Sequence, residues 1–153
     1  MMTLCAEVLS RLAGKSLVTA ESLTGGGIGA ALTGVSGSSA VYKGGVISYT
    51  DWVKHQILGV PQEALDTCGA VSAPVALAMA QGVRKLLEAD VSVSVTGLAG
   101  PGGDEFGHPV GTVFIGYSDK ACSESREYHF SGDREAVRRQ TIHKALELIL
   151  EHN

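Results

Sequence analysis

The 153-residue sequence is poor in aromatic side chains, 5% with a single tryptophan, and holds only three cysteines and four prolines. Cys5, Cys68 and Cys122 are scattered, odd in number and without CxxC spacing. That excludes a disulfide framework or a cysteine-rich zinc fold and leaves three free thiols, mostly buried, as in a reducing compartment. There is no basic block. Twelve lysines and arginines against 16 acidic residues give a net charge of −4, which argues against a dedicated nucleic-acid binder. The longest apolar stretches, around Val91 to Val95 and Thr112 to Gly116, have strand length, so no membrane span is expected. The opening MMTLCAEVLSRLAGKS has an acid and a base in its first turns and no apolar run before a small-residue cleavage site. It predicts no signal peptide and a cytoplasmic protein. Metal motifs are missing too: the histidines at 55, 108, 129, 143 and 152 are dispersed, HExxH is absent, and no calcium-loop pattern occurs. The expected active site is metal-independent and uses no cofactor.

What the sequence does have is apolar residues at 44%, enough for a core at this length, so residues 1–153 are read as one globular domain. It also has 20 glycines, about twice the usual share. They cluster at 25–29, 34–37, 44–45 and 97–111, each time between apolar segments. Turns built around a site account for that pattern.

Periodicity gives the elements. Leu4, Val8, Leu9 and Leu12 predict a helix from about 3 to 13, capped by Gly14. A strand follows at 17–20, then a small-residue helix at 26–33, with Ser22 at the corner between them. GGVISYT predicts a strand at 44–50, and Asp51 an N-cap for a helix at 52–58. Pro61 opens a short helix ending near Gly69. Ser72 caps a long helix at 73–89, with Val75, Met79, Val83, Leu86 and Leu87 on one face. VSVSVT at 91–96 alternates with period two. A loop runs from Gly97 to Gly111, strands follow at 112–117 and about 125–130, and an Asp133 or Ser131 cap starts a final helix with Val137, Ile142, Leu146, Ile149 and Leu150 inward. Helices alternating with strands predict an α/β fold of three layers, α/β/α, with a mixed, mostly parallel sheet and an antiparallel hairpin near its end.

Four segments could carry chemistry. In AESLTGGG, Ser22 follows a strand and precedes glycines and a helix start, where backbone N–H groups can receive an oxyanion. It fits neither GxSxG nor a Walker A loop. It is either a nucleophile or, with Thr24, a helix cap. In SYTDWVKHQ, Tyr49 ends a strand and Lys54 lies in the next helix's first turn. Buried in a glycine-walled cleft, that lysine loses its proton and becomes the base a serine needs; on the surface it is an ordinary solvated side chain. TGLAGPGGDEFGHPVGT is a 15-residue, six-glycine loop, too long for simple connection and suited to cradling a phosphate or to plain turn-making. His108 and Pro109 there read as loop shaping. In FSGDREAVRRQ, Arg134 and Arg138 share a helix face as a phosphate clamp or, with Arg139, as a solvated flank.

Taken together, AES-x-TGGG, GGVISYT-xxx-K-xxx-LGV, GAVS, VTGLAGPGG, PVGTV and FSGDREAVRRQ resemble, in order and spacing, the CinA C-terminal domain family over residues 3–150. Stand-alone members are nicotinamide-nucleotide amidohydrolases. The resemblance implies metal-independent hydrolysis of nicotinamide mononucleotide to nicotinate mononucleotide and ammonia, with the catalytic serine, tyrosine and lysine at Ser22, Tyr49 and Lys54. Leu23 stands where the family commonly has cysteine, and Asp51 where asparagine is frequent. Asp51 adds a negative charge that opposes lowering the Lys54 pKa.

In the mechanism so implied, Lys54 deprotonates Ser22 while Tyr49 holds or relays the proton. N–H groups near Thr24 and Gly25, beside Gly26, take the oxyanion. The chemistry of the glycine loop itself, rather than the resemblance, assigns Thr96, Gly97, Gly100 and Gly102, with Arg138, to the ribose phosphate. The expected partner is a small pyridine mononucleotide, with no nucleic acid or membrane, and the chain is expected to form a homo-oligomer. A different class remains open: a nucleotide- or partner-binding module without turnover, since some relatives are associated with competence and DNA-damage responses. Another small amide as substrate is open as well.

Overall fold

Valine alternating with hydroxyl residues in VSVSVT gives a strand with two unlike faces, and the computed structural model, which describes residues 1–153, buries both. The chain runs α1 (Met2–Arg11), β1 (Leu17–Glu21), α2 (Gly27–Thr33), a 3-10 turn (Ser38–Ala40), β2 (Tyr42–Ile47), α3 (Asp51–Gln56), α4 (Gln62–Cys68), α5 (Ala73–Leu86), β3 (Val91–Gly97), β4 (Thr112–Ser118), β5 (Ser123–His129) and α6 (Arg134–His152). One sheet holds the strands in the order β2-β1-β3-β4-β5. β1 pairs parallel with β2 and β3, whereas β4 pairs antiparallel with β3 and β5. The sheet is therefore mixed, its parallel and antiparallel pairings evenly divided, although four strands share one direction. Helices cover both faces, as the alternating pattern requires.

On one face, Val91, Val93 and Val95 pack with Val8 of α1, Ile28 and Leu32 of α2, and Leu146 and Ile149 of α6. On the other, Val18 and Ala20 of β1 pack with Leu65 of α4 and with Val75, Met79 and Val83 of α5. The hydroxyl face of β3 also turns toward this second layer. Ser92 donates to the Ala80 carbonyl and Ser94 to the Ala76 carbonyl, both at 2.6 Å. Thr96 donates to the Ala70 carbonyl at 2.8 Å. These carbonyls satisfy the buried hydroxyls, so α5 is held to the sheet by backbone as well as by apolar contact. Each such bond contributes about 1 kcal/mol net.

Several expected boundaries move for local reasons. β2 begins at Tyr42 and stops at Ile47, not Thr50, because its partner β1 ends at Glu21, opposite Ile47. Asp51 is the first residue of α3 and makes no side-chain cap; Thr50 occupies the cap position. Ser72 precedes α5 as expected, but its hydroxyl donates to the Gly69 carbonyl at 2.8 Å instead of capping. α5 ends at Leu86, since Glu88 takes a positive φ, and Leu86 itself is exposed. β5 starts at Ser123 and ends at His129. The Asp133 cap of α6 is present, accepting from the Ala136 N–H at 2.9 Å. Of the three thiols only Cys5 is buried; Cys68 and Cys122 are partly exposed. No helix is long and apolar enough to cross a membrane.

The closeness of α5 to β4 sets a tight test. A Cβ at Gly116 would lie 2.4 Å from both the Ala76 carbonyl oxygen and Ser94 Oγ. Backbone on one side and a hydrogen-bonded hydroxyl on the other cannot yield, so α5 would have to lift. Gly116→Ala is expected to lower unfolding free energy by about 1 to 3 kcal/mol, read from the urea midpoint at constant m-value.

Candidate active site

Open α/β sheets bind ligands beyond the carboxyl ends of their strands. Here the ends of β1 and β3, the loop before α3 and the start of α6 enclose a cleft of about 390 Å³. Its lining includes Ser22, Tyr49, Asp51, Lys54, Thr96, Gly97, Gly100, Gly102 and Arg134. Ser22 is the first residue after β1, and its N–H still donates to the Val95 carbonyl at 3.0 Å, which locks it to β3. Three residues later the Gly25 N–H returns to the Ser22 carbonyl at 3.1 Å. This turn ends with Gly25 and Gly26 at φ of +57° and +100°, leading into α2.

Lys54 is 1% exposed. Its Nζ donates to Ser22 Oγ at 3.0 Å, to the Ser48 carbonyl at 2.8 Å and to the Tyr49 carbonyl at 3.4 Å. None of the three acceptors is charged. Burial pushes the lysine pKa from 10.5 down to about 8, and the Asp51 carboxylate pulls it part of the way back. An ammonium has three protons for three acceptors. Loss of one leaves two N–H bonds, sufficient for the two carbonyls, and a lone pair to face the serine hydroxyl. The geometry therefore suits a serine activated by a neutral amine.

The sequence reading left out Glu21. It is the last residue of β1 and 2% exposed. Its Oε1 accepts from Thr24 Oγ1 at 2.6 Å and the Ile28 N–H at 2.8 Å; its Oε2 accepts from the Gly29 N–H at 3.0 Å and Thr19 Oγ1 at 3.2 Å. This carboxylate serves the first N–H groups of α2 from the strand preceding it, and so holds both ends of the Ser22 turn. Its only signal in the sequence was an acid closing an apolar strand.

Other expected site residues fall differently. Thr24 is buried on Glu21, and neither it nor Gly25 or Gly26 lines the cleft. The Gly25 N–H is already used, whereas the N–H groups of Leu23 and Thr24 meet no acceptor within the chain. Thr96 lines the cleft but spends its hydroxyl on Ala70. Gly97 is required by crowding, since a Cβ would lie 2.7 Å from Val113 Cγ2 and 2.8 Å from the Thr112 carbonyl oxygen. Tyr49 is 57% exposed, and its phenol accepts from Arg134 Nη2 at 3.2 Å, so the phenol is bonded to neither Ser22 nor Lys54.

Arg138 is not in the cleft. It donates to the Leu23 carbonyl at 3.0 Å and the Thr24 carbonyl at 3.2 Å, bracing the serine turn from behind. Arg134, one helical turn earlier, is the cleft's arginine, with Nη1 on the Gly100 carbonyl at 2.7 Å. Helix spacing put both on one side of α6 but could not say which would reach the cleft.

Burial of Lys54 has a thermodynamic consequence. Between about 8 and 10.5 the unfolded chain holds the Lys54 proton and the folded chain does not. Stability from this group therefore rises with pH across that window. The unfolding free energy of the wild type minus that of Lys54→Met is expected to increase from pH 8 to pH 10, as measured by denaturant titration; a constant difference contradicts it.

Comparison with known proteins agrees with this architecture. The CinA C-terminal domain family matches residues 2–152. A CinA-like protein of Parasynechococcus marenigrum is 49% identical over 142 residues, covering 91% of this chain and 34% of its own length. The chain thus spans about a third of the length of the curated relatives it matches. Among solved structures, a competence-damaged protein (CinA) superfamily protein from Escherichia coli superposes with a TM-score of 0.97 at 36% identity, covering 99% of this chain and 90% of the other. The competence damage-inducible protein A of Klebsiella pneumoniae gives a TM-score of 0.95 at 37% identity, covering 98% and 94%. With the family matched from end to end and the fold shared at this identity, the chain belongs to the CinA C-terminal domain family.

Proposed function

We propose that this cleft hydrolyses the carboxamide of nicotinamide mononucleotide, giving nicotinate mononucleotide and ammonia, with Ser22 as nucleophile and Lys54 as base. The observation that carries the proposal is the 3.0 Å contact between Lys54 Nζ and Ser22 Oγ, made by a buried lysine with no carboxylate partner. In the reactive state the neutral amine takes the Ser22 proton as Oγ bonds to the amide carbon. The N–H groups of Leu23 and Thr24 are the donors available to the developing oxyanion. Lys54 then passes its proton to the amide nitrogen, the C–N bond breaks and ammonia leaves. Water gives a proton to the same amine and attacks the acyl ester. Ser22 departs with that proton, and the acid product is released.

Arg134 gives the cleft a guanidinium whose partners, the Gly100 carbonyl and the Tyr49 phenol, are both neutral. Its charge is free to meet a phosphate, and the glycine loop at 97–102 lets backbone approach closely. In this reading Tyr49 and Arg134 form the phosphate end of the site, and Arg138 is a positioning residue behind the serine.

The test is ammonia release from nicotinamide mononucleotide by the purified chain. Turnover unaffected by EDTA, and lost by at least about a thousandfold in Ser22→Ala and in Lys54→Ala, is the expected result. Folded protein that binds the nucleotide without turning it over would overturn the amidohydrolase and favour a binding module. Because the reactive form is the neutral amine, kcat/KM is expected to rise with pH toward a plateau above about 8. Removing the nearby negative charge in Asp51→Asn lowers the Lys54 pKa further and moves that limb to lower pH. A limb that stays in place would show that Lys54 is not the group titrating.

A further inference from the structure

The opposite end of the sheet carries a cluster with no part in the cleft. Ser92 at the start of β3 pairs with Ser118, and Ser118 with Ser123, so the β4–β5 hairpin lies a full strand length away from Gly97 and Ser22. There Cys122, Glu124 and His152 come together, each offering a ligand atom within 4.8 Å of the other two. Cysteine and glutamate flank the first residue of β5, while the histidine is the last residue of α6. We propose that Cys122, Glu124 and His152 form a binding site for a zinc-class divalent cation, which ties the end of α6 to the β4–β5 hairpin.

The donor set argues for the class of ion. One thiolate, one imidazole and one carboxylate suit a borderline-soft cation such as zinc and do not suit magnesium or calcium, which take oxygen alone. Three protein ligands leave one tetrahedral position for water. Zinc bonds of about 2.0 to 2.3 Å place neighbouring tetrahedral donors about 3.3 to 3.7 Å apart. Glu124 Oε2 and His152 Nε2 now stand 2.7 Å apart, sharing a hydrogen bond. They need to part by less than about 1 Å, and the thiol, within 4.8 Å of both, needs to close by at most about 1.1 to 1.5 Å. On binding, the cation replaces the thiol proton of Cys122, which passes to solvent, and takes the Nε2 lone pair of a neutral His152 whose ring proton sits on Nδ1.

Each ligand is also oriented by a group other than its fellow ligands. Arg126 forks onto Glu124, with Nε on Oε1 at 2.5 Å and Nη2 on Oε2 at the longer distance of 3.3 Å, and Oε2 makes its shorter contact with the histidine. The His152 ring lies stacked on Tyr117 with centroids 4.1 Å apart and planes 10° from parallel. Asp119 Oδ1 accepts from the N–H groups of Ala121 and Cys122 at 2.8 and 2.7 Å, fixing the turn that presents the thiol. Such outer partners are what first ligands of a metal ordinarily have. The Glu151 carboxylate, bonded to Arg126 Nη1, offsets the Arg126 charge. Partial exposure of all three ligands leaves the ion a way in.

The test uses the full chain without an affinity tag, stripped of metal and titrated with Co²⁺ and Zn²⁺. The expected result is one ion per chain, a near-ultraviolet thiolate-to-cobalt band that zinc abolishes, and a melting temperature raised by about 5 to 10 °C at zinc a hundredfold above Kd. The band disappears in Cys122→Ser, and zinc affinity falls by at least about tenfold in His152→Ala and in Glu124→Gln. Metal-free circular dichroism and melting establish that each variant folds, and any one folded variant suffices to decide. Absence of a band in the wild type, its persistence in Cys122→Ser, or equal zinc affinity in the wild type and a folded ligand variant would each overturn the site. None of these outcomes depends on the amidohydrolase reading, whose test lies in Ser22 and Lys54.

Discussion

A cation enclosed without a counter-charge is the constraint around which this molecule is arranged. Lys54 lies almost wholly out of water, and its three partners are a hydroxyl and two peptide carbonyls. A carboxylate partner in that place would hold the proton on; neutral acceptors position the amine without doing so. For this to work the Ser48 and Tyr49 carbonyls must converge on one point, and β2 arranges that by ending at Ile47. The Ser48 N–H closes onto the Glu21 carbonyl at 2.9 Å, and the chain turns at once into α3. The strand pairing thereby fixes the two carbonyls and, through Glu21, the serine facing them.

Glu21 extends that economy. It is one side chain meeting four donors from β1, the serine turn and α2. An amide in its place would present two hydrogens where the site needs an acceptor. The Ser22 corner is held from below by this carboxylate and from behind by Arg138, and neither touches the cleft. The Ser22 hydroxyl is thus placed by charged groups which are themselves kept away from it. That separation lets burial, rather than a neighbouring charge, dominate the lysine.

Much of this was legible in the residues alone. The three-layer α/β fold followed from helical and strand periods, and the serine corner and the lysine were recognisable from AESLTGGG and SYTDWVK. What failed to show was the third dimension of each pattern. The serines of VSVSVT look like a solvent face, but they are buried against α5 because backbone carbonyls there can accept. Arg134 and Arg138 are equivalent by helix spacing, and only the docking of α6 against the sheet distinguishes the one in the cleft from the one behind it. Tyr49 ends an apparent strand, but the strand stops early and its phenol swings out to Arg134. Cys122, Glu124 and His152 are joined by the antiparallel return of β5 and the length of α6, a convergence that no linear motif records.

The cleft is drawn from segments far apart along the chain. Ser22 and Lys54 are 32 residues apart, and Arg134 is 85 residues from the Tyr49 phenol that it meets. Contacts of long sequence separation form late, once the loops between them have been closed. Ser22 and Lys54 belong to the first half of the chain, but the serine is locked to β3 through Val95 and braced by Arg138 of α6. The guanidinium arrives only when the last helix settles. That one helix supplies both the brace behind the Ser22 turn, through Arg138, and the guanidinium of the cleft, through Arg134. The cleft in this sense depends on the last element of the chain being in place.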